Sequence, residues 1–322
     1  MDFFKLISLF GGLGLFLYGM KLMSDGLEAA AGKRLRKGLQ ALAKNRFSAI
    51  ALGTGITAAI HSSSATTIIL IGMVNAGLLS FSQAIFVGMG ANIGTTVTAQ
   101  MTAFDLTGTA PVILFCGIVM MIFFKNQGVR RVGQIIGGVG ILFVGLQIMS
   151  EAVIPLRDWQ PFREILFSFS DPIQGLLAGL AVTCVIQSST ATMGILQACA
   201  LQGLIGLDQA VYVILGLNIG TCLTAIIASL GGNKTAKRTA LSFLGFNIIG
   251  VAAFLLLLPL FPVADWVESW SPGDPVRQIA NFHTFFNIVN TLLLIGCPQL
   301  LVKVSYLMIP GEDEKEKSLM QV

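Results

Sequence analysis

Charge is what this chain has least of. Only 11% of its 322 residues are Asp, Glu, Lys or Arg, against about 25% in ordinary soluble domains, which excludes a conventional water-facing surface. Histidine occurs twice and tryptophan three times. The five cysteines, Cys116, Cys184, Cys199, Cys222 and Cys297, form no CxxC pair and sit in apolar stretches. They read as small packing residues, not as disulfides or a metal site. The net charge of +4 and pI near 8.9 do not imply nucleic acid, because the basic residues fall in short clusters between apolar runs.

What is abundant is hydrophobic: 54% of residues, with mean hydropathy +0.81. Several runs extend for roughly 18 to 23 residues with at most one charge, enough to cross a ~30 Å hydrocarbon layer. The expected partner is therefore a lipid bilayer. The first run, Phe3 to Met23, carries one lysine ahead of its apolar part and no small-x-small cleavage site, so it reads as a first span and not as a removed signal.

The chain also repeats itself. At a fixed offset of 126 residues, Gly11-Gly12-Leu13-Gly14 matches Gly137-Gly138-Val139-Gly140, and Gly19 matches Gly145. Leu52–Ala99 aligns with Ala178–Ala225 without a gap, identical at 21 of 48 positions. Chance likeness between apolar helices would not hold register across loops. The repeat contains two unusual segments. His61-Ser62-Ser63-Ser64-Ala65-Thr66-Thr67 returns as Gln187-Ser188-Ser189-Thr190-Ala191-Thr192-Met193, and Asn92-Ile93-Gly94-Thr95 returns as Asn218-Ile219-Gly220-Thr221.

These patterns predict an all-α polytopic membrane protein of two inverted-topology repeats, each with a re-entrant helical hairpin and a glycine-broken transmembrane helix. Repeat 1 covers residues 1–125, with its hairpin at about 48–79. Repeat 2 covers 126–260, with its hairpin at about 173–205. An extra helix in 261–310, spanning Phe282 to Met308, and a charged cytoplasmic tail at 311–322 complete the chain. The hairpin reading follows from length: about 30 residues are too many for one span and too few for two. Non-helical backbone at membrane depth is tolerated only inside protein or beside a wet cavity. Ser24 to Asn45 reads as an amphipathic helix with a basic face, on the inner leaflet or in a solvated loop. With the N-terminus outside and the C-terminus cytoplasmic in a multi-pass cell-membrane protein, 16 of the 20 Lys and Arg residues lie inside, as the positive-inside rule requires. Parallel repeats, with each hairpin a full span, give 15 inside, so charge barely separates the two topologies.

A hydroxyl run at the N-terminus of a half-helix offers side-chain donors, unpaired backbone N–H groups and the positive end of the helix dipole. Together they make an anion site without arginine. Two such tips entering from opposite sides would meet near the midplane. In the Asn-Ile-Gly-Thr segments a glycine break would free carbonyls, and Asn and Thr add side-chain oxygens suited to a hard cation. The alternative, that these small residues merely pack helices closely, fits one copy better than two in register. No Asp, Glu or Arg lies deep within an apolar stretch, so a metal cation is a better coupling ion than a proton. His61 and His283 are the deep titratable residues, and His283 reads as a packing residue.

At these residues the sequence resembles the type II sodium/phosphate cotransporter family, over about residues 3 to 300. That family carries a Gln-Ser-Ser-Ser-type motif and an Asn-Ile-Gly-Thr element in each of two inverted repeats. Gln187-Ser188-Ser189-Thr190 and both Asn-Ile-Gly-Thr copies match closely. The resemblance implies transport of inorganic phosphate driven by sodium ions. It suggests Ser62, Ser63, Ser64, Gln187, Ser188, Ser189 and Thr190 for phosphate. For Na⁺ it suggests Thr66, Asn92, Thr95, Gln187, Thr192, Asn218 and Thr221. No cofactor is implied beyond Na⁺ as coupling ion, and a second copy of the chain is a candidate partner. The first motif departs from the family in having His61 where Gln is usual, which makes His61 a candidate pH modulator. Asp105 does not align with the acidic residue that electrogenic animal members use for an extra Na⁺. Some bacterial relatives are associated with phosphate export, so an exporter, a transporter of another small anion and a phosphate-binding membrane regulator remain as alternatives. An enzyme pairing His61 with Ser62 is disfavoured, since neighbours in a helix do not face each other and the second copy has Gln187.

The departure at residue 61 is directly testable. His61→Gln is expected to flatten the pH dependence of phosphate movement across the histidine range, between about pH 5 and 8. Initial rates in proteoliposomes over that range measure it, and an unchanged profile removes His61 from the mechanism.

Overall fold

The structure, a computed structural model, describes residues 3–42, 45–104 and 106–311, and they contain helices and turns but no strand. Four helical stretches are long and apolar enough to cross a membrane: Phe4–Ala30, Gln127–Asp158, Leu207–Ser229 and Lys234–Leu257. Two bent pairs raise the number to six if each counts as one span. Exposed side chains such as Val112, Phe115, Ile122, Phe123 and Val185 form the apolar exterior that lipid requires. The protein is thus an all-α, multi-pass membrane protein.

In chain order, α1 is Phe3–Leu42, α2 Arg46–Ile60, α3 Ser63–Asn75, α4 Phe81–Thr102 and α5 Ala110–Phe123. Next come α6 (Gln127–Val153), a 3-10 turn (Ile154–Asp158), α7 (Gln160–Ser168), α8 (Pro172–Ile186), α9 (Ser189–Leu201) and α10 (Leu207–Gly220). The chain continues through α11 (Cys222–Ser229), α12 (Lys234–Leu257), α13 (Val263–Ser269), α14 (Pro275–Ile295) and α15 (Pro298–Met308). The two expected hairpins are α2–α3 and α8–α9. Each is a pair of short helices separated by two residues.

Four expectations are corrected. The first span and the basic segment form one continuous helix, α1, because nothing between Met23 and Leu42 breaks it; the side chains of 31–42 lie outside what is described. The glycines at 88, 90 and 94 do not break α4, which runs unbroken for 22 residues. In the second copy α10 and α11 part only at Thr221, whose own dihedrals are helical (φ −58°, ψ −28°). In α4 the glycines serve close packing, against Phe243, Ile50 and Thr57, so no run of carbonyls is freed. The last segment is not one straight helix: α14 and α15 meet at 84°, where Gly296 and Pro298 end one helix and start the next. Asp105 and the charged tail from residue 312 lie outside the described residues.

Contact clustering divides the chain into two compact units that cut across the sequence repeats. Unit 1 holds Met1–Gly32, Thr98–Leu217 and Pro262–His283, and unit 2 holds Lys33–Val97, Asn218–Phe261 and Thr284–Val322. Within unit 1, α1 crosses α6, its counterpart in the second repeat. A Cβ on Gly12 would strike Met149 and Gly145, one on Gly19 would strike Leu142 and Gly138, and one on Gly26 would approach Ile135 and Arg131. As numbers rise along α1 they fall along α6, so the two equivalent helices are antiparallel. Gly12 and Gly19 meet each other's repeat mates, which is the reciprocal pattern of a two-fold axis. This antiparallel crossing supports inverted repeats where charge counting could not decide.

The first arm of each hairpin packs on the next long helix through the same contacts. In unit 2 a Cβ on Gly53 would collide with the Val87 carbonyl and one on Gly90 with the Ile50 carbonyl; in unit 1 Gly179 meets Val213 and Gly216 meets Leu176 in the same way. All four pairs are related by the 126-residue offset. The second arms are exchanged. In unit 1, Gln197 of α9 donates to Ala99 O (3.0 Å) and accepts from Thr102 Oγ1 (2.6 Å) at the end of α4. In unit 2, α3 packs against α11 and α12. Arg238 of α12, fully buried, stacks 3.8 Å over Tyr306 and donates to Ile309 O at the end of α15. The basic residue expected in a loop is therefore an internal clamp.

Gly53→Ala or Gly179→Ala is expected to destabilise the protein by at least the ~1–3 kcal/mol typical of overpacking, because backbone cannot yield to the new methyl. Gly55→Ala and Gly72→Ala, where nothing lies within 4 Å, should be neutral or stabilising by about 0.5–1 kcal/mol. Thermal unfolding of the purified protein in detergent ranks the four.

Candidate functional site

Each hairpin turns in two residues. α2 ends on His61 in the left-handed region (φ 55°), and α8 ends on Gln187 in the same conformation (φ 58°); among the described residues they are the two non-glycine positions with positive φ. Ser62 and Ser188 follow in extended conformation and cap the returning helices. Ser62 Oγ accepts from Ala65 N at 3.1 Å and Ser188 Oγ from Ala191 N at 3.2 Å. One turn in from the tip, Thr57 donates to Thr66 Oγ1 and Thr183 to Thr192 Oγ1, each at 3.0 Å. Thr66 and Thr192 in turn donate to the Ser62 and Ser188 carbonyls, at 3.0 and 3.2 Å. The result is a closed polar lock across each hairpin, identical in the two copies.

The lock uses only some of the hydroxyls. Ser63, Ser189 and Thr190 are buried. Among the described residues no hydrogen bond engages the hydroxyls of Ser63, Ser64, Ser189 or Thr190. These residues are also the first two of α3 and of α9, where backbone N–H groups have no intrahelical acceptor. Each tip therefore presents two hydroxyls and two N–H groups at the positive end of a helix dipole. The capping hydroxyls of Ser62 and Ser188 accept from backbone and can still donate outward. The arrangement can bind an anion such as phosphate without a charged side chain.

The candidate cation ligands divide. Thr66 and Thr192 have used their proton and one lone pair in the locks. Thr95 Oγ1 donates to Ala91 O at 2.9 Å and Asn92 Nδ2 to Gly88 O at 3.4 Å, leaving both oxygens able to accept. Within unit 2 the Asn92–Thr95 segment lies beside the tip, because a Cβ on Gly94 would press on Thr54, Thr57 and Ala58 of α2. Asn218 is buried and the Asn218 carbonyl accepts from Cys222 Sγ at 3.7 Å. The Thr221 carbonyl accepts from Thr224 Oγ1 at 2.9 Å. Gln187 folds back on its own helix, Nε2 donating to Cys184 O at 2.6 Å, which leaves its second N–H and its carbonyl oxygen available.

Sequence reasoning missed Thr57 and Thr183, although both are identical at the repeat offset and that signal was available. It also missed Gln197, wholly buried and fully paired, which carried no repeated signature. Asn247 and Asn290 were missed too. Asn247 Nδ2 donates to Phe243 O (3.0 Å), Asn290 Nδ2 donates to Phe246 O (3.1 Å), and among the described residues neither Oδ1 has a partner.

Apolar helices that repeat at a fixed offset, with one polar hairpin tip in each unit, define the class: a multi-pass all-α membrane protein carrying two copies of one hairpin motif. The family model described as Na+/Pi-cotransporter matches residues 15–151 and 159–272, and the chain belongs to that family. Among its relatives is "Uncharacterized protein YqeW" of Bacillus subtilis, 34% identical over 92% of this chain and 96% of its own. Another is "Putative inorganic phosphate export protein YjbB" of Salmonella typhimurium, 27% identical over 98% of this chain. The chain spans 58% of that relative's length. "Sodium-dependent phosphate transport protein 2A" of Rattus norvegicus is 34% identical over 32% of this chain and 17% of its own. No solved structure gives a significant match.

The left-handed caps generate a prediction. A side chain in that region costs about 1–2 kcal/mol that glycine would avoid. Gln187→Gly should therefore leave unfolding temperature near or above wild type, less the lost bond to Cys184, while weakening phosphate binding at least tenfold. Equal phosphate affinity in calorimetry would show that the side chain serves the turn alone.

Proposed function

We propose that this protein is a sodium-coupled secondary transporter of inorganic phosphate working by alternating access. The observation that carries the reading is the pair of hairpin tips. In both copies the same lock holds the arms together while the next two hydroxyls and N–H groups are left unused at a helix N-terminus.

Phosphate at neutral pH is an anion rich in acceptors, and each tip offers hydroxyl and backbone N–H donors to it. Ser62, Ser63 and Ser64 form one cradle; Ser188, Ser189 and Thr190 form the other, with Gln187 beside it. No arginine is needed, so the site binds without a permanent countercharge and can release its load. A neutral donor site holds an anion in low dielectric only at a desolvation cost. Na⁺ bound nearby offsets that cost, which is the physical origin of coupling in this scheme. Thr66, Asn92, Thr95, Gln187, Thr192, Asn218 and Thr221 supply candidate oxygens, with side chains serving where α4 offers no freed carbonyls. The same reading places the N-terminus outside and the C-terminus in the cytoplasm of the cell membrane.

A second reading, phosphate export, is favoured by the likeness to YjbB along 98% of this chain. Coupling and direction are separable. In proteoliposomes an inward Na⁺ gradient should drive accumulation of labelled phosphate, and no accumulation with no effect of Na⁺ on phosphate binding refutes coupled transport. Efflux of labelled phosphate from loaded cells, faster with the protein than without it, would identify export. The double variant Ser63→Ala with Ser189→Ala should abolish coupled binding while leaving unfolding temperature within a few degrees of wild type, since neither hydroxyl is part of a lock. Wild-type affinity in that variant would overturn the assignment of the tips.

A further inference from the structure

Away from the hairpin tips, unit 1 contains a cavity of about 840 Å³ formed where the 3-10 turn, α7, the α9–α10 connection and the start of α10 come together. Its walls carry Arg157, Arg163, Asp158 and Glu164, with Phe167 and Gln209. Gln160, Arg163, Glu164 and Phe167 follow the i, i+3, i+4, i+7 spacing, so one face of α7 lines it. Among the described residues no ion pair joins its charged groups to one another or to anything else. Gln160 Nε2 donates to Glu164 Oε1 at 3.1 Å, which leaves the second carboxylate oxygen open. Two guanidinium forks and two carboxylates, all solvent-exposed, thus share one open cavity without pairing directly.

The surroundings have the composition of a membrane surface. α7 turns 105° from α8, so it lies across the direction of the hairpin arm. Trp159, Ile165 and Phe167 are exposed beside its charged face, the composition of a helix seated at the boundary between headgroups and acyl chains. The corresponding stretch of repeat 1, residues 31–42, has a basic run and no aromatic residue, so the cavity's chemistry belongs to one repeat only.

We propose that this cavity binds a phosphate group carried next to an amine, the headgroup of phosphatidylethanolamine. Arg157 and Arg163 take the phosphate, which matches the planar donor fork of a guanidinium. Asp158 and Glu164 take the ammonium. The balance of two positive and two negative groups selects a zwitterion over a free anion, which would meet the carboxylates unpaired. Phe167 and the exposed apolar side chains of α7 accept the start of the acyl chains. The volume lies within the ~300–1,000 Å³ of small-molecule sites.

The test uses the full chain, delipidated in detergent and titrated with phosphatidylethanolamine, phosphatidylglycerol or inorganic phosphate under native mass spectrometry. Wild type should hold one tightly bound phosphatidylethanolamine, and Arg157→Gln with Arg163→Gln should weaken it at least tenfold. Asp158→Asn with Glu164→Gln keeps the phosphate partners and should reverse the preference toward phosphatidylglycerol. That second variant keeps the test decisive if the first folds poorly. Equal binding of both lipids by wild type and variants overturns the proposal. Displacement of the lipid by millimolar inorganic phosphate, lost in the arginine variant, would assign the cavity to the free ion and overturn the lipid assignment.

Discussion

Backbone laid directly against backbone is the constraint on which this structure depends. Helices in lipid gain nothing from burying apolar surface against each other, so they associate through close packing and internal hydrogen bonds. Here glycine supplies the approach at several crossings within a unit. Gly12 and Gly19 meet Gly145 and Gly138, Gly53 and Gly90 hold the first hairpin arm to α4, and Gly179 and Gly216 hold its counterpart to α10. The hairpins can be short, polar at the tip and still ordered because these contacts leave them no room to slide.

That rigidity explains how a polar site survives without charged residues. The threonine locks and serine caps satisfy the groups needed for shape, and what they leave over is a consistent set of donors. A lone serine run in an apolar helix would fold its hydroxyls back onto carbonyls one turn earlier. Thr66 and Thr192 do so, whereas the first-turn residues after each cap have no preceding helical turn to reach. The donors remain available because of where the helix begins.

Much of this was legible in the sequence. The repeat offset, the hairpins and their tips come from self-similarity and from segment length, both of which physics ties to a fixed membrane thickness. The broken helix was misread because glycine is ambiguous: it frees a backbone or lets another approach, and only the neighbour decides. Gly94 faces Thr57, so α4 stays whole. Gly296 stands next to Cys297-Pro298, and there the chain bends. Arg238 looked like a loop charge because its partner, Tyr306, lies 68 residues on, beyond any local pattern. The threonine locks went unnoticed because nine residues separate their members, a distance that means nothing until the chain has turned back on itself.

The exchanged arms bear on how the protein is made. Unit 1 draws on residues up to His283, and unit 2 on segments beyond Thr284, so neither can close while the ribosome is still partway through the second repeat. The early hairpin α2–α3 waits for α11 and α12, more than 140 residues behind it in synthesis. During that interval a short, serine-tipped pair of helices sits in the membrane without its final neighbours. Neither unit has all of its segments until the second repeat has been made, so the units cannot be completed one after the other along the chain.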